Sequence, residues 1–352
     1  MVEKILGAMI ENILDDDINR VALSESLPWN SFQDSIFLVT GATGFIGKWF
    51  VEILAKVAKT QSGSIEIMLV VRDMKKATEI FPISKYQNLK FIHADLSGSN
   101  PFAKHDLSRV THILHGATST NKSADPNELM TSTVNGLENV IRATSVSRNV
   151  PRLINLSSGA VYGEQARQKA RINDQESVIS IESALDVYAR AKVSSEILIG
   201  QANSADRISG VNARLFSFVG PHLPIDSAYA VPNFIADVIA GRKIQINASA
   251  ETTRSYLYPS DLVSTLLQLF ATDFKGSVNV GSRNSLNMLQ IATTVNQAWA
   301  ANGIEFKHPN AIANHYVPSL DVLDQVIGKQ EEISFEESIS KWKKWIDSTL
   351  IR

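Results

Sequence analysis

An apolar run, Ile36–Thr40, ends on Gly41-Ala42-Thr43-Gly44-Phe45-Ile46-Gly47 and passes directly into a helical pattern. No other stretch constrains the chain as tightly. The first glycine allows a tight turn, the second lets the backbone approach a pyrophosphate closely, and the third lets helix and strand pack together. The helix start then offers free amides and the positive end of its dipole to an anion. An ordinary strand–turn–helix that happens to carry three glycines is the plain alternative. The flanking strand and helix argue against it.

The rest of the chain repeats that alternation. Candidate strands are Ile36–Thr40, Ile65–Val71, Leu89–His93, His112–Gly116, Leu153–Ser157 and Val211–Leu215, with helical patterns near 46–59, 128–147 and 184–203. Several strands lack polar alternation, as strands covered on both faces do. The expected fold is α/β: a Rossmann-type, doubly wound parallel sheet with a smaller, mixed C-terminal lobe. Residues 1–33 read as a helical lead-in, with Ile5, Met9, Ile10 and Ile13 at helical spacing before Pro28. Residues 34–220 form the nucleotide-binding domain and 221–352 a substrate lobe partly interwoven with the sheet. That lobe has helices near 233–240, 260–271, 287–301 and 334–348; the last places Phe335, Ile339, Trp342 and Ile346 on one packing stripe.

Composition removes several functions. With 34 basic and 36 acidic residues, the 352-residue chain is no strongly basic nucleic-acid binder. No apolar run reaches the ~18–20 residues of a membrane span, and Met1–Ile10, with Glu3 and Lys4 before a short apolar patch, makes a poor signal peptide. The absence of cysteine excludes disulfides, thiolate metal sites and Cys nucleophiles, and fits a reducing, cytoplasmic setting. His112 and His115 point to opposite faces of a strand, so no metal is expected.

Three further places carry chemistry. At the end of the second strand stand Arg72 and Asp73, 25 and 26 residues beyond Gly47. An Arg there accommodates the 2′-phosphate of NADP, and an acidic residue binds the 2′-hydroxyl of NAD. Arg72 favours NADP; a slip of one residue to Asp73 favours NAD, and a merely solvated charged turn is a third reading. Tyr188 and Lys192 lie four apart, on one helix face. A phenol normally titrates near 10, and a neighbouring ammonium helps bring it into range as a base. Alone, such a pair is often just a surface pair. Ser158, within Leu156-Ser157-Ser158-Gly159-Ala160-Val161-Tyr162-Gly163, ends the fifth strand, where a hydroxyl faces the ligand crevice or simply caps the loop.

Taken in order, these motifs resemble the extended short-chain dehydrogenase/reductase superfamily, in its branch of NAD(P)-dependent nucleotide-sugar epimerases, dehydratases and reductases. The resemblance runs from about Ile36 to Ala301. It includes Asp95-Leu96, Asn135 in a Val-Asn-Gly-x-x-Asn-Val helix, Arg214–Pro221 and Arg254–Asp261. It implies a catalytic set of Ser158, Tyr188 and Lys192, with Tyr188 as acid/base and Lys192 lowering its pKa and holding the nicotinamide ribose. The implied cofactor set is Gly41, Gly44, Phe45, Ile46, Gly47, Arg72, Asp95, Leu96, Ala117, Tyr188, Lys192 and Phe216. The implied substrate set is Ser158, Asn233 and Arg254, with Arg254 on the substrate phosphates. A homodimer and a nucleotide-sugar substrate follow from the same likeness.

The departures bear on the reaction. The resembling 4,6-dehydratases carry acid or polar groups directly after the catalytic hydroxyl, where this chain has Gly159 and Ala160. Ser217 replaces the usual Asn, and the Asn expected near Tyr229–Pro232 is missing. Reduction of a 4-keto sugar and epimerisation need only Ser158, Tyr188, Lys192 and cofactor. The alternatives are a dehydratase with displaced acid and base groups and a catalytically silent dinucleotide sensor. Retention of Tyr188 and Lys192 argues against silence. A reductase of non-sugar carbonyls is disfavoured by Arg254–Asp261.

Overall fold

The computed structural model describes residues 14–60, 64–118, 125–146, 149–181, 186–225 and 229–350. Ile5, Met9, Ile10 and Ile13 of the lead-in lie outside them. Helix α1 (residues 14–22) leads to β1 (Ser35–Thr40), α2 (Phe45–Thr60), β2 (Ile65–Val71), α3 (Met74–Ile80) and β3 (Leu89–His93). Next come β4 (His112–His115), α4 (Pro126–Thr144), β5 (Arg152–Ser158), α5 (Gly163–Ala166), α6 (Val187–Ser204) and β6 (Ser209–Leu215). The chain continues through β7 (Ser217–Phe218), α7 (Ala230–Ile239), β8 (Ile244–Ile246), β9 (Thr253–Leu257), α8 (Pro259–Phe270) and β10 (Gly276–Val280). It closes with β11 (Ser285–Asn287), α9 (Met288–Trp299), β12 (Ile304–Phe306), β13 (His315–Tyr316), α10 (Asp321–Ile327) and α11 (Phe335–Leu350).

Seven parallel strands form the main sheet in the order β10-β6-β5-β4-β1-β2-β3. Both faces of that sheet are covered, which explains the unbroken apolar strands. On β1, Phe37 and Val39 enter the core shared with α2 and α8, whereas Ile36 and Leu38 enter the core shared with α4 and α6. Strand order reverses between β1 and β4, so their carboxyl ends diverge into a crevice, the place where open α/β sheets bind ligands.

The lead-in is welded to this body. Ile18, Val21, Ala22, Leu27 and Phe32 belong to the main core. Buried Asp17 accepts hydrogen bonds from the Tyr258 hydroxyl at 2.8 Å and from Lys341 Nζ at 2.9 Å, and Arg20 pairs with Asp261.

The later part of the chain does two jobs. Strand β10 and helix α8 complete the main sheet, β10 being a strand the apolar pattern did not single out. The remainder builds a smaller layer in which β9 pairs with β7, β11 and β13, and β8 pairs with β12. Its core joins α7, α9 and α11, with Phe335, Ile339, Trp342 and Ile346 all buried. Helix α7 starts three residues before the expected 233 and takes Pro232 into its first turn, where the missing amide costs no helical bond.

Candidate active site

The turn after β1 is set by its glycines. Gly41 has φ +72°, and a Cβ on it would lie 2.5 Å from the Gly116 carbonyl oxygen, in the turn that follows β4. A Cβ on Gly47 would lie 2.3 Å from the Gly41 carbonyl oxygen. These two glycines are demanded by the protein's own packing. Gly44 is looser, meeting only the Gly41 oxygen at 3.2 Å, so its bare backbone stays open to a ligand beside Phe45 and Ile46 at the start of α2. Thr40 joins the two turns. Its hydroxyl accepts from the amides of Gly116 (3.1 Å) and Ala117 (3.2 Å) and lies 3.1 Å from His115 Nδ1. Burial holds His115 neutral, with its pKa down at about 3. The sequence reading missed Thr40; a small hydroxyl residue directly before Gly41 was the available signal.

At the edge of the crevice, Arg72 is exposed at the end of β2. Asp73 is engaged elsewhere, its carboxylate capping α3 by accepting from the Lys76 amide at 2.9 Å. Asp95 accepts from the Ser97 amide and hydroxyl, which hold its carboxyl below the usual range. Leu96 is buried, and its carbonyl accepts from Asn139 Nδ2 of α4 at 2.8 Å. This fixes the loop after β3. The cradle fits a dinucleotide: two turns in backbone contact, an open helix start, and side chains at the ends of β2 and β3.

Ser158, Tyr188 and Lys192 come together. Asp186 caps α6 and accepts from the Tyr188 amide at 2.9 Å, which fixes the phenol in the first helical turn. Lys192, one turn later, lies 5.7 Å from the Tyr188 ring centroid. Its Nζ donates to the Leu156 carbonyl at 2.7 Å and to Thr118 Oγ1 at 3.0 Å. Burial lowers the Lys192 pKa to about 8, opposed by Glu196. The Tyr188 phenol is pushed above its ordinary value, first by burial and then by Tyr229 and Tyr316, while the Ser158 hydrogen bond opposes the rise. In the protein by itself the phenol is therefore held protonated, the reverse of the lowering that the Tyr–Lys spacing suggested. Burial dominates, and the Lys192 ammonium does not figure among the main influences on the phenol.

Tyr316 is the residue the sequence did not reveal. It comes from β13, and its hydroxyl shares the Ser158 hydroxyl with Tyr188. Its ring packs 4.6 Å from that of Phe216. A Cβ on Gly159 would lie 2.7 Å from the Tyr316 hydroxyl and 2.9 Å from the Phe216 ring. Beneath the site, buried Glu196 pairs with Arg214 at 2.7 Å and accepts from Ser157 Oγ at 2.6 Å. Arg254, on β9, donates from Nη1 to the Thr253 and Asn314 carbonyls at 2.7 and 3.1 Å, and burial lowers its pKa. Asn233 lies exposed in the first turn of α7; from that region it is Tyr229 whose electrostatic influence reaches the Tyr188 and Tyr316 phenols.

With this geometry in place, comparison gives the class. The model of the NAD dependent epimerase/dehydratase family matches residues 37–281, and the chain belongs to that family. UDP-glucuronic acid decarboxylase 6 of Arabidopsis thaliana is 26% identical over 277 residues, spanning 76% of this chain and 75% of that protein. Among solved structures, the UDP-N-acetylglucosamine 4-epimerase of Methanobrevibacter ruminantium superposes with a TM-score of 0.76 at 21% identity, covering 90% of this chain and 99% of the other. The UDP-glucuronic acid 4-epimerase of Bacillus cereus, solved with NAD, gives 0.71 at 17% identity, covering 89% and 99%. No described helix is long and apolar enough to cross a membrane.

Proposed function

We propose that this chain is an NAD(P)-dependent enzyme acting on a nucleotide-activated sugar, by reduction of a 4-keto sugar or by epimerisation through hydride transfer, with Tyr188 as acid/base. One observation carries the reading: Ser158, Tyr188 and Lys192 converge at the carboxyl end of β5, in the same body as the glycine cradle. Ser158 holds the reacting oxygen of the sugar, and Tyr188 exchanges a proton with it. Lys192, anchored to the Leu156 carbonyl, holds a positive charge beside the phenol. When bound, the nicotinamide supplies or accepts the hydride. A phenol kept protonated by burial is ready to donate, as reduction of a ketone requires.

NADP is the proposed cofactor, with NAD as the alternative. The support is that Asp73 is engaged in capping α3, which leaves Arg72 free for a 2′-phosphate. Lys76 lies close enough to Lys48 to help lower its pKa, so this edge is rich in positive charge. Arg254 is assigned to the substrate diphosphate, and the working assembly is a cytoplasmic homodimer. A dehydratase with displaced groups is the second reading; Glu164, its nearest acid beyond Gly163, is paired with Arg167 at 2.7 Å.

Two measurements test the proposal. Mass spectrometry of small molecules released from purified protein identifies a retained dinucleotide or nucleotide sugar. NADH and NADPH turnover is then followed with nucleotide-linked 4-keto sugars. A protein that releases no dinucleotide and turns over neither cofactor overturns the proposal.

A further inference from the structure

The reacting end of the site carries a positive charge that the reading above does not use. Arg167 directly follows α5, and its carbonyl accepts from the His315 amide at 2.7 Å, which ties it to the strand bearing Tyr316. Its guanidinium carbon lies 5.0 Å from the Tyr316 ring centroid. The Tyr316 hydroxyl in turn stands 2.7 Å from the Cβ position of Gly159, directly after Ser158. Arg167 is thus stacked on the aromatic ring that borders the catalytic hydroxyl.

The charge there is poorly balanced. Gly159 and Ala160 contribute none. Glu164 accepts from Arg167 Nη1, but it is 78% exposed against 25% for Arg167, an i,i+3 surface pair of small worth. Arg254 is close enough for the two guanidinium groups to repel. Arg167 Nε is buried without a hydrogen-bond partner among the described residues. A guanidinium whose carboxylate partner is largely exposed, next to a second cation, suits a carboxylate ligand. A hexose whose C4 oxygen meets Ser158 and Tyr188 carries its C6 group on the adjacent ring carbon.

We propose that Arg167 reads a carboxylate on the sugar, so that the substrate class is a nucleotide-linked uronate rather than a neutral hexose. This rests on the nucleotide-sugar reading above and narrows it.

The test is binding by calorimetry of matched pairs that differ only at C6: UDP-glucuronate against UDP-glucose, and GDP-mannuronate against GDP-mannose, with bare UDP and GDP alongside. In the pair that binds, the uronate is expected to bind about ten- to a hundredfold tighter, the range of charge-assisted hydrogen bonds. Arg167→Met should erase that difference and leave the neutral partner within about twofold; Arg167→Lys should restore part of it. Equal affinities in the wild type overturn the proposal before any variant is made. A preference that survives in a folded Arg167→Met protein also overturns it. Equal weakening of both partners and of the bare diphosphate overturns it too, and moves Arg167 to the diphosphate. If no member of any pair binds, and the dTDP- and CDP-hexoses also fail to bind, it is the nucleotide-sugar reading that falls, and the proposal with it.

Discussion

The Tyr316 hydroxyl occupies the space that a side chain on Gly159 would need, with 2.7 Å between that oxygen and the Cβ position. Elimination of water from a 4-keto hexose requires a base for the C5 proton and an acid for the departing C6 hydroxyl. The position that follows Ser158 cannot provide either while Tyr316 stays in place. Losing a positioned acid or base costs roughly 10²–10⁴-fold per group. We therefore expect no efficient conversion of dTDP-, UDP-, GDP- or CDP-hexoses to 4-keto-6-deoxy products, followed by NMR. We also expect Gly159→Asp to lower the native activity without creating that product, because the carboxylate must first displace Tyr316. A 4-keto-6-deoxy product at ordinary enzyme rates would show that another acid/base pair is at work.

Tyr188→Phe removes the exchangeable proton and keeps the ring. Turnover should fall by about 10²–10⁴-fold, with cofactor affinity, read by fluorescence titration, almost unchanged. Lys192→Ala should lose both, since Nζ ties the Leu156 carbonyl to Thr118 and is proposed to hold the nicotinamide ribose. Near-normal kcat in the Phe variant would displace Tyr188 from its role.

Arg72→Asp should reverse the cofactor preference. A guanidinium–phosphate contact is worth about 1.5–3 kcal/mol, or roughly ten- to a hundredfold in NADP affinity. Asp73→Asn serves as the control: it alters the α3 cap but should leave the NADP/NAD ratio near the wild-type value. Calorimetric titration of both cofactors decides. A wild type that already prefers NAD removes the basis for the assignment.

Acid should unfold the protein partly through buried imidazoles. His112 stacks on Phe37 at 4.6 Å and meets Phe270 and Phe32 edge-on, and burial lowers its pKa from 6.5 to about 4. Because the folded pKa lies below the unfolded one, the unfolded chain binds the proton first. Stability contributed by the neutral ring is therefore complete above about 6.5 and is lost as pH falls toward about 4. Each such imidazole contributes at most about 1.4 kcal/mol per pH unit. His112→Phe keeps an aromatic ring in that cluster, so its urea midpoint should fall less steeply than the wild type's between pH 6.5 and 4.5. Parallel slopes would show that His112 does not carry this linkage.

The sequence by itself determined the parts whose partners are close in the chain. The glycines at 41, 44 and 47 report a strand–turn–helix because the turn and the helix start are local. The spacing of Tyr188 and Lys192 places both on one helix face for the same reason. The unbroken apolar strands already implied a sheet covered on both sides. Tertiary structure alone decided the rest. Tyr316 and Ser158 are 158 positions apart and meet only because β13 pairs with β9, whose neighbour β7 follows directly on β6. Thr40 and His115 meet only because β1 pairs with β4. The protonation of Tyr188 depends on burial, and burial belongs to the packed molecule: desolvation and the two neighbouring phenols raise its pKa, opposed by the Ser158 hydrogen bond.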